Sequence, residues 1–293
     1  MFALKRNDIF WFIVMISPIA AGMILFLIVP LFWCVYLSFT DYNMFTIPSG
    51  NDFANYIRLF TLETEFWKSL INAAIATISV PICMAIAMVL ANILAGKIKG
   101  KKFFKMVFFL PTICSAVAIT FIWKWLFNTN WGLFNTVLGV FGIGPVNFLS
   151  EALAMPSMIL MGVWGGIGIS LLMYVAAISN LPRSYYEAAK MDGAGGVTIF
   201  FRITVPLISP TSFYLLVTGL ISSLQDFSRF FVMTDGNPDT TLMPVMVVYR
   251  YAGHAYGNMF GYACSMAIML GIIIGVVTAI NFAVSRKWVY YES

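Results

Sequence analysis

Apolar and polar residues in this chain separate into long blocks. Six blocks are continuously apolar: 10–39, 70–96, 104–127, 157–179, 207–230 and 260–284. A helix rises about 1.5 Å per residue, so roughly 20 apolar residues cross a hydrocarbon core ~30 Å thick. Each block is long enough, and the strict alternation of a lipid-facing barrel is missing. The pattern predicts an all-α polytopic membrane protein with six transmembrane helices. The fifth block is the least clean, because Gln225, Asp226 and Arg229 interrupt its end. Pro18 and Pro30 are expected to bend the first, which membrane helices tolerate. That block also starts like a signal peptide, with Lys5 and Arg6 ahead of it and Ala20-Ala21-Gly22 inside it. It runs far past an h-region of about 7–15 residues, so it reads as an uncleaved span.

Composition agrees with the blocks. Of 293 residues, 61% are apolar and 10% charged, against about 25% charged in a soluble domain. Mean hydropathy is +0.90. The basic residues set an orientation. With the N-terminus inside, the inner segments hold Lys5, Arg6, Lys97, Lys99, Lys101, Lys102, Lys105, Arg183, Lys190, Arg202, Arg286 and Lys287. The outer ones hold only Arg58, Lys68, Lys124, Arg229 and Arg250. Short basic loops stay cytoplasmic, so both termini are placed inside. The net charge of +5 reads as topology and attraction to anionic lipid, not nucleic-acid binding.

Several chemistries are excluded. The lone histidine, His254, cannot build an H-E-x-x-H zinc site. Neither a G-x-S-x-G elbow nor a phosphate-binding G-x-x-x-x-G-K-[ST] loop occurs, so the chain has no apparatus of its own for ATP hydrolysis. The span centres lack the charged relays common in ion-coupled carriers. Cys34, Cys83, Cys114 and Cys264 all fall in apolar blocks and read as inert thiols, with no disulfide and no metal site. No catalytic residue is expected. These exclusions point to a protein that moves something with energy from another subunit.

The segment between the fourth and fifth blocks, 180–206, is not ordinary loop. Pro182 suits a first helical turn, and 185–192 holds helix formers without a breaker. Gly193, or the Gly195-Gly196 pair, can take positive φ and end that helix. A second helix over 197–205 is expected to stop before Pro206. The product is a helix–turn–helix on the cytoplasmic face, where the Ala188-Ala189 pair permits close approach and Glu187 offers a directed contact.

Here the sequence resembles a family. Glu187-Ala188-Ala189, then Asp192-Gly193, then Ile203 and Val205-Pro206 resemble the EAA loop of binding-protein-dependent ABC importer permeases, with Val205 where the family usually has Leu. The likeness is nearest to the maltose-type sugar permeases. It extends through Ser38-Phe39-Thr40-Asp41, Phe109-Leu110-Pro111, Trp123 to Asn128, Trp131 to Asn135, Gln225-Asp226-Phe227, Thr234 to Pro238 and Gly261-Tyr262-Ala263. The maltose protein's large external insertion and two extra spans are missing. The resemblance implies a single permease domain over 1–293 in a bacterial inner membrane. It implies a second homologous permease, an extracytoplasmic binding protein and two cytoplasmic ATPases that hold ATP and Mg, with no cofactor in this chain. The EAA loop would dock on an ATPase, and the solute would be a sugar or oligosaccharide. An importer of another solute, such as glycerol phosphate or a polyamine, remains open, as does an ion-gradient carrier.

Two further features are legible. In 131–142, Leu133, Phe134, Val137, Leu138 and Phe141 form one apolar face. That stretch is either an interfacial helix on the outer side, with Trp131 at headgroup level, or a re-entrant piece packed inside. Gly162/Gly166 and Gly271/Gly275 are G-x-x-x-G steps, which let helix backbones approach. Glycines also leave the fourth span bare around Trp164, which would suit a sugar stacking on the ring. In the family, the spans flanking the EAA loop line the translocation path. Trp164, Gly165, Gly166, Ser222, Ser223 and Asp226 are the path-lining candidates, the alternative being helix–helix contact.

Overall fold

The computed structural model describes residues 6–96, 99–253 and 257–290. Lys5, Lys97 and His254 lie outside them. Among the described residues the regular structure is helical, with one isolated β-bridge between Thr40 and Gly50. In chain order the helices are α1 (Arg6–Met23), α2 (Val29–Leu37), α3 (Ala54–Thr61), α4 (Glu65–Ala76), α5 (Ser79–Ala95), α6 (Lys101–Ile113), α7 (Ala116–Leu126) and α8 (Leu133–Val140). There follow α9 (Ala154–Asn180), α10 (Arg183–Met191), α11 (Gly196–Ile199), α12 (Val205–Leu207), α13 (Ser209–Leu224), α14 (Ser228–Thr234), α15 (Pro244–Ala252) and α16 (Phe260–Ser285).

Four stretches are long and apolar enough to cross a membrane: Trp11–Leu37, Glu65–Ala95, Ala154–Asn180 and Phe260–Ser285. The number becomes six if each of two bent helix pairs is one span. The sequence predicts one straight helix over 104–127, but α6 and α7 meet at 102°. Pro111 removes a donor from the last turn of α6, and Cys114 and Ser115 are extended. The fifth block also differs. It starts after a 65° bend and ends at Leu224, because Gln225, Asp226 and Phe227 leave the helix.

Two prolines are accommodated by the same device. The segments Ile24–Ile28 and Phe200–Thr204 are π-helical turns, each ending one residue before Val29-Pro30 or Val205-Pro206. Val29 N–H donates to the Ile24 carbonyl, and Val205 N–H to that of Phe200. The wider turn takes up the clash between a proline ring and the carbonyl four residues earlier. The helix expected to stop before Pro206 therefore continues through it to Leu207.

Contacts divide the chain into two compact units. The first comprises Met1–Glu63 with Val248–Ile272. Within it, Asn55 Nδ2 donates to the carbonyls of Ser38 and Thr40, and Gly261 N–H donates to Tyr42 O at 2.8 Å. The Ser49 hydroxyl donates to Asp41, holding that carboxyl below the usual aspartate range. This contribution is present at neutral pH and fades as the pH falls through the lowered value. A Cβ on Gly261 would collide with the Thr40 carbonyl. Gly261→Ala is therefore expected to cost about 1–3 kcal/mol, read as a lower thermal midpoint of the purified protein. An unchanged midpoint would contradict this close approach.

The second unit comprises Thr64–Val247 with Ile273–Ser293. Its centre is α5 against α9. Ala87 and Ala91 of α5 are fully buried, and a Cβ on Gly166 would lie 2.9 Å from Cys83 Sγ. Lipid supplies no hydrophobic drive between helices, so small residues that let backbones close are what packs them. Leu171, Tyr174, Val175, Ile178, Ile208 and Leu215 complete this core, and Tyr174 donates to Ser212 Oγ at 3.2 Å. At Gly168 a Cβ would meet the Phe108 carbonyl, which brings α6 equally close. The packing expected at Gly271 and Gly275 is not found among the described residues, where no atom beyond their own helix backbone lies within 4 Å of either Cβ position.

Candidate functional site

Tyr214, Thr218 and Ser222 recur every fourth residue along α13 and so share a face, and Asp226 follows just beyond the helix end. With Ser79 and Cys83 of α5 and Gly162, Gly166 and Ser170 of α9, they line a cavity of about 440 Å³. Four of the six residues expected along a path, Gly166, Ser222, Ser223 and Asp226, meet here. The other two do not. Gly165 lines a second cavity of about 360 Å³ beside the α6–α7 bend. Trp164 packs edge-on against Trp123, ring centres 5.6 Å apart, in a cluster with Phe127, Phe134 and Phe148. That cluster also holds α8 through Phe134, while Val137, Val140 and Phe141 stay exposed.

The charged centre of the cavity is a pair that the sequence reading split. Arg229 Nη2 lies 2.7 Å from Asp226 Oδ2, with the two side chains 15% and 22% exposed. Arg229 Nη1 also donates to the Met158 carbonyl of α9 at 3.3 Å. It reaches that carbonyl because residue 162 is glycine: a Cβ there would collide with Nη1. Gly162 thus makes room for a guanidinium, a role beyond helix packing. Two buried polar atoms have no hydrogen-bond partner here, Arg229 Nε and Ser223 Oγ. Unsatisfied groups in an apolar surrounding are costly. Arg229 was legible only as an opposite charge three residues after Asp226. Nothing in the sequence marked Ser79 or Ser170 as facing the same space.

The 180–206 segment forms the second part of the site. Helix α10 ends in a left-handed cap. Gly193 has φ +75°, its N–H donates to Lys190 O, and Ala194 N–H donates to Ala189 O. This Schellman arrangement satisfies carbonyls that the helix end leaves open. Tyr186 Oη lies 3.3 Å from Thr204 Oγ1, and Ala189, Ile199 and Thr204 are buried. Glu187, Ala188, Asp192, Gly193 and Pro206 are exposed, and Ile203 is half-buried. The alanine pair therefore divides: Ala189 faces the chain's interior and only Ala188 faces out. Tyr185, Met191, Val197 and Phe201 add an exposed apolar surface that spacing alone did not reveal. No cluster of three or more metal-ligating side chains occurs among the described residues.

No family model matches the chain. It is 33% identical over 285 residues to the probable ABC transporter permease protein YesP of Bacillus subtilis (strain 168), covering 95% of this chain and 91% of YesP. It is 28% identical over 280 residues to the lactose transport system permease protein LacF of Rhizobium radiobacter, covering 93% of each. Among solved structures it matches a chain of a bacterial alginate ABC transporter in complex with an alginate pentasaccharide-bound periplasmic protein. That match has a TM-score of 0.84 at 22% identity over 96% of both chains. The chain belongs to the ABC transporter permeases.

Proposed function

We propose that this chain is a membrane-spanning permease subunit of an ATP-driven importer that takes up a sugar or oligosaccharide. A soluble extracytoplasmic receptor delivers the solute. This chain, with six spans and both termini inside, pairs with a second homologous permease in a bacterial inner membrane to enclose a path. Two cytoplasmic ATPases bind ATP and Mg and close on each other. The EAA loop, through Glu187, Ala188, Asp192 and the exposed apolar residues beside them, passes that closure to the spans. Alternating access requires only a two-state element biased by nucleotide.

The observation that carries the reading is the convergence of Ser222, Ser223, Asp226 and Arg229 on one cavity between the spans that flank the EAA segment. Hydroxyls and a neutralised charge pair suit a polyhydroxylated, uncharged solute. A glycerol phosphate would need uncompensated positive charge there, and a polyamine uncompensated negative charge. The likeness to a lactose permease supports the same class.

A deletion strain tests it. Removing the chain should abolish uptake of a radiolabelled neutral oligosaccharide from a panel, with uptake of spermidine and glycerol 3-phosphate unchanged. Loss confined to either charged solute would contradict the sugar assignment.

A further inference from the structure

Two cavities lie side by side on α9. On a helix of 3.6 residues per turn, Gly162 and Ile169, two turns apart, sit on nearly the same line. Both residues line both cavities. Gly166 and Ser170 line only the α13 cavity, and Met161 and Gly165 only the cavity at the α6–α7 bend. The border between the spaces therefore runs along the Gly162–Ile169 stripe. Asp226 and Arg229 are also shared by both cavities, and Arg229 lies on α9 at Gly162.

We propose that the Asp226–Arg229 pair is an internal partition that divides the solute path into two compartments and is latched onto α9 at Gly162. The latch is the Arg229 hydrogen bond to the Met158 carbonyl, made possible by the missing side chain at Gly162. That carbonyl lies four residues before Gly162, so it is the acceptor of an ordinary helical turn, and the guanidinium bond to it is an addition that can be given up. Arg229 Nε and Ser223 Oγ are both buried without a partner, on residues that line the α13 cavity. They are the groups left to bond solute hydroxyls when the pair separates, so a polyhydroxylated solute replaces what opening removes. This inference rests on reading the α13 cavity as the path.

The chain carries its own reporters. Cys83 lines the α13 cavity and is buried, whereas Cys114 lines the cavity at the bend and is exposed. Membrane vesicles containing the whole importer, opened by freeze–thaw, are treated with a small membrane-impermeant maleimide. Each cysteine is followed by peptide mass spectrometry. In the wild type, Cys114 reacts and Cys83 stays slow. Gly162→Ala keeps both charges but crowds Arg229 off α9, and should raise the Cys83 rate about ten-fold by opening access to it. Arg229→Gln should do the same. Cys34 and Cys264 should keep wild-type rates throughout.

A Cys83 rate unchanged by Gly162→Ala, or a wild-type Cys83 that already reacts as fast as Cys114, would overturn the partition. The two readings separate cleanly. If blocking the α13 cavity stops uptake while Gly162→Ala leaves Cys83 slow, the path stands and the partition falls. If Gly162→Ala exposes Cys83 but blocking that cavity leaves uptake intact, the partition stands and the path falls.

Discussion

Ser222→Trp is expected to reduce solute uptake to the background of cells lacking the chain, with the protein still inserted at wild-type level. Ser222 is exposed on α13 and lines the α13 cavity one turn after Thr218, with Asp226 just past the helix end. An indole there projects into about 440 Å³ that a sugar would have to occupy. The substitution adds bulk to open space and leaves the α5–α9 core untouched. Ser222→Ala, which removes one hydroxyl and no space, should leave most of the uptake. Radiolabelled oligosaccharide uptake, normalised to the amount of chain in the membrane, reads both variants. Full uptake by Ser222→Trp would mean that the solute passes elsewhere.

The second large effect is expected at the cap of α10. Gly193 holds φ +75°, where a residue with a Cβ costs about 1–2 kcal/mol and a β-branched one more. Open space surrounds its Cβ position, so the cost is one of backbone conformation, not collision. Gly193→Val should break the paired bonds from Gly193 and Ala194 and let the end of α10 fray. Receptor-stimulated ATPase activity of the assembled importer should then fall to the unstimulated rate. Gly193→Asn should retain much of the stimulation, because asparagine tolerates the left-handed region. Equal stimulation in Gly193→Val and wild type would show that the cap plays no part in coupling.

The sequence made some levels of this structure legible and hid others. Long apolar runs located the four helices that are long and apolar enough to cross a membrane to within about five residues, because hydrocarbon thickness imposes a minimum length. The helix end at Gly193 was readable because so few residues accept positive φ. The 102° break at Cys114–Ser115 was not, since neither residue forbids helix and Pro111 alone does not fix where a bend falls. The continuation through Pro206 was missed for a related reason. A π turn relieves the proline, and five-residue register leaves no compositional mark.

At the cavity, Ser222 and Asp226 line one space, but helical spacing could not say that Trp164 turns towards Trp123. The choice of face on α9 depends on which neighbour packs there. Arg229 was read as a charge near a span end. Only its approach to Gly162 shows that a glycine in the fourth span and an arginine after the fifth belong to one arrangement.

The central proposal is that this chain transports solute with force generated by a neighbouring ATPase. Proteoliposomes test it most directly. The complete importer, with loaded receptor outside and ATP inside, should accumulate solute, and should stop when ATP is replaced by a non-hydrolysable analogue. The chain alone, given a proton or sodium gradient and no ATP, should accumulate none. Accumulation by the lone chain on an ion gradient would contradict the account.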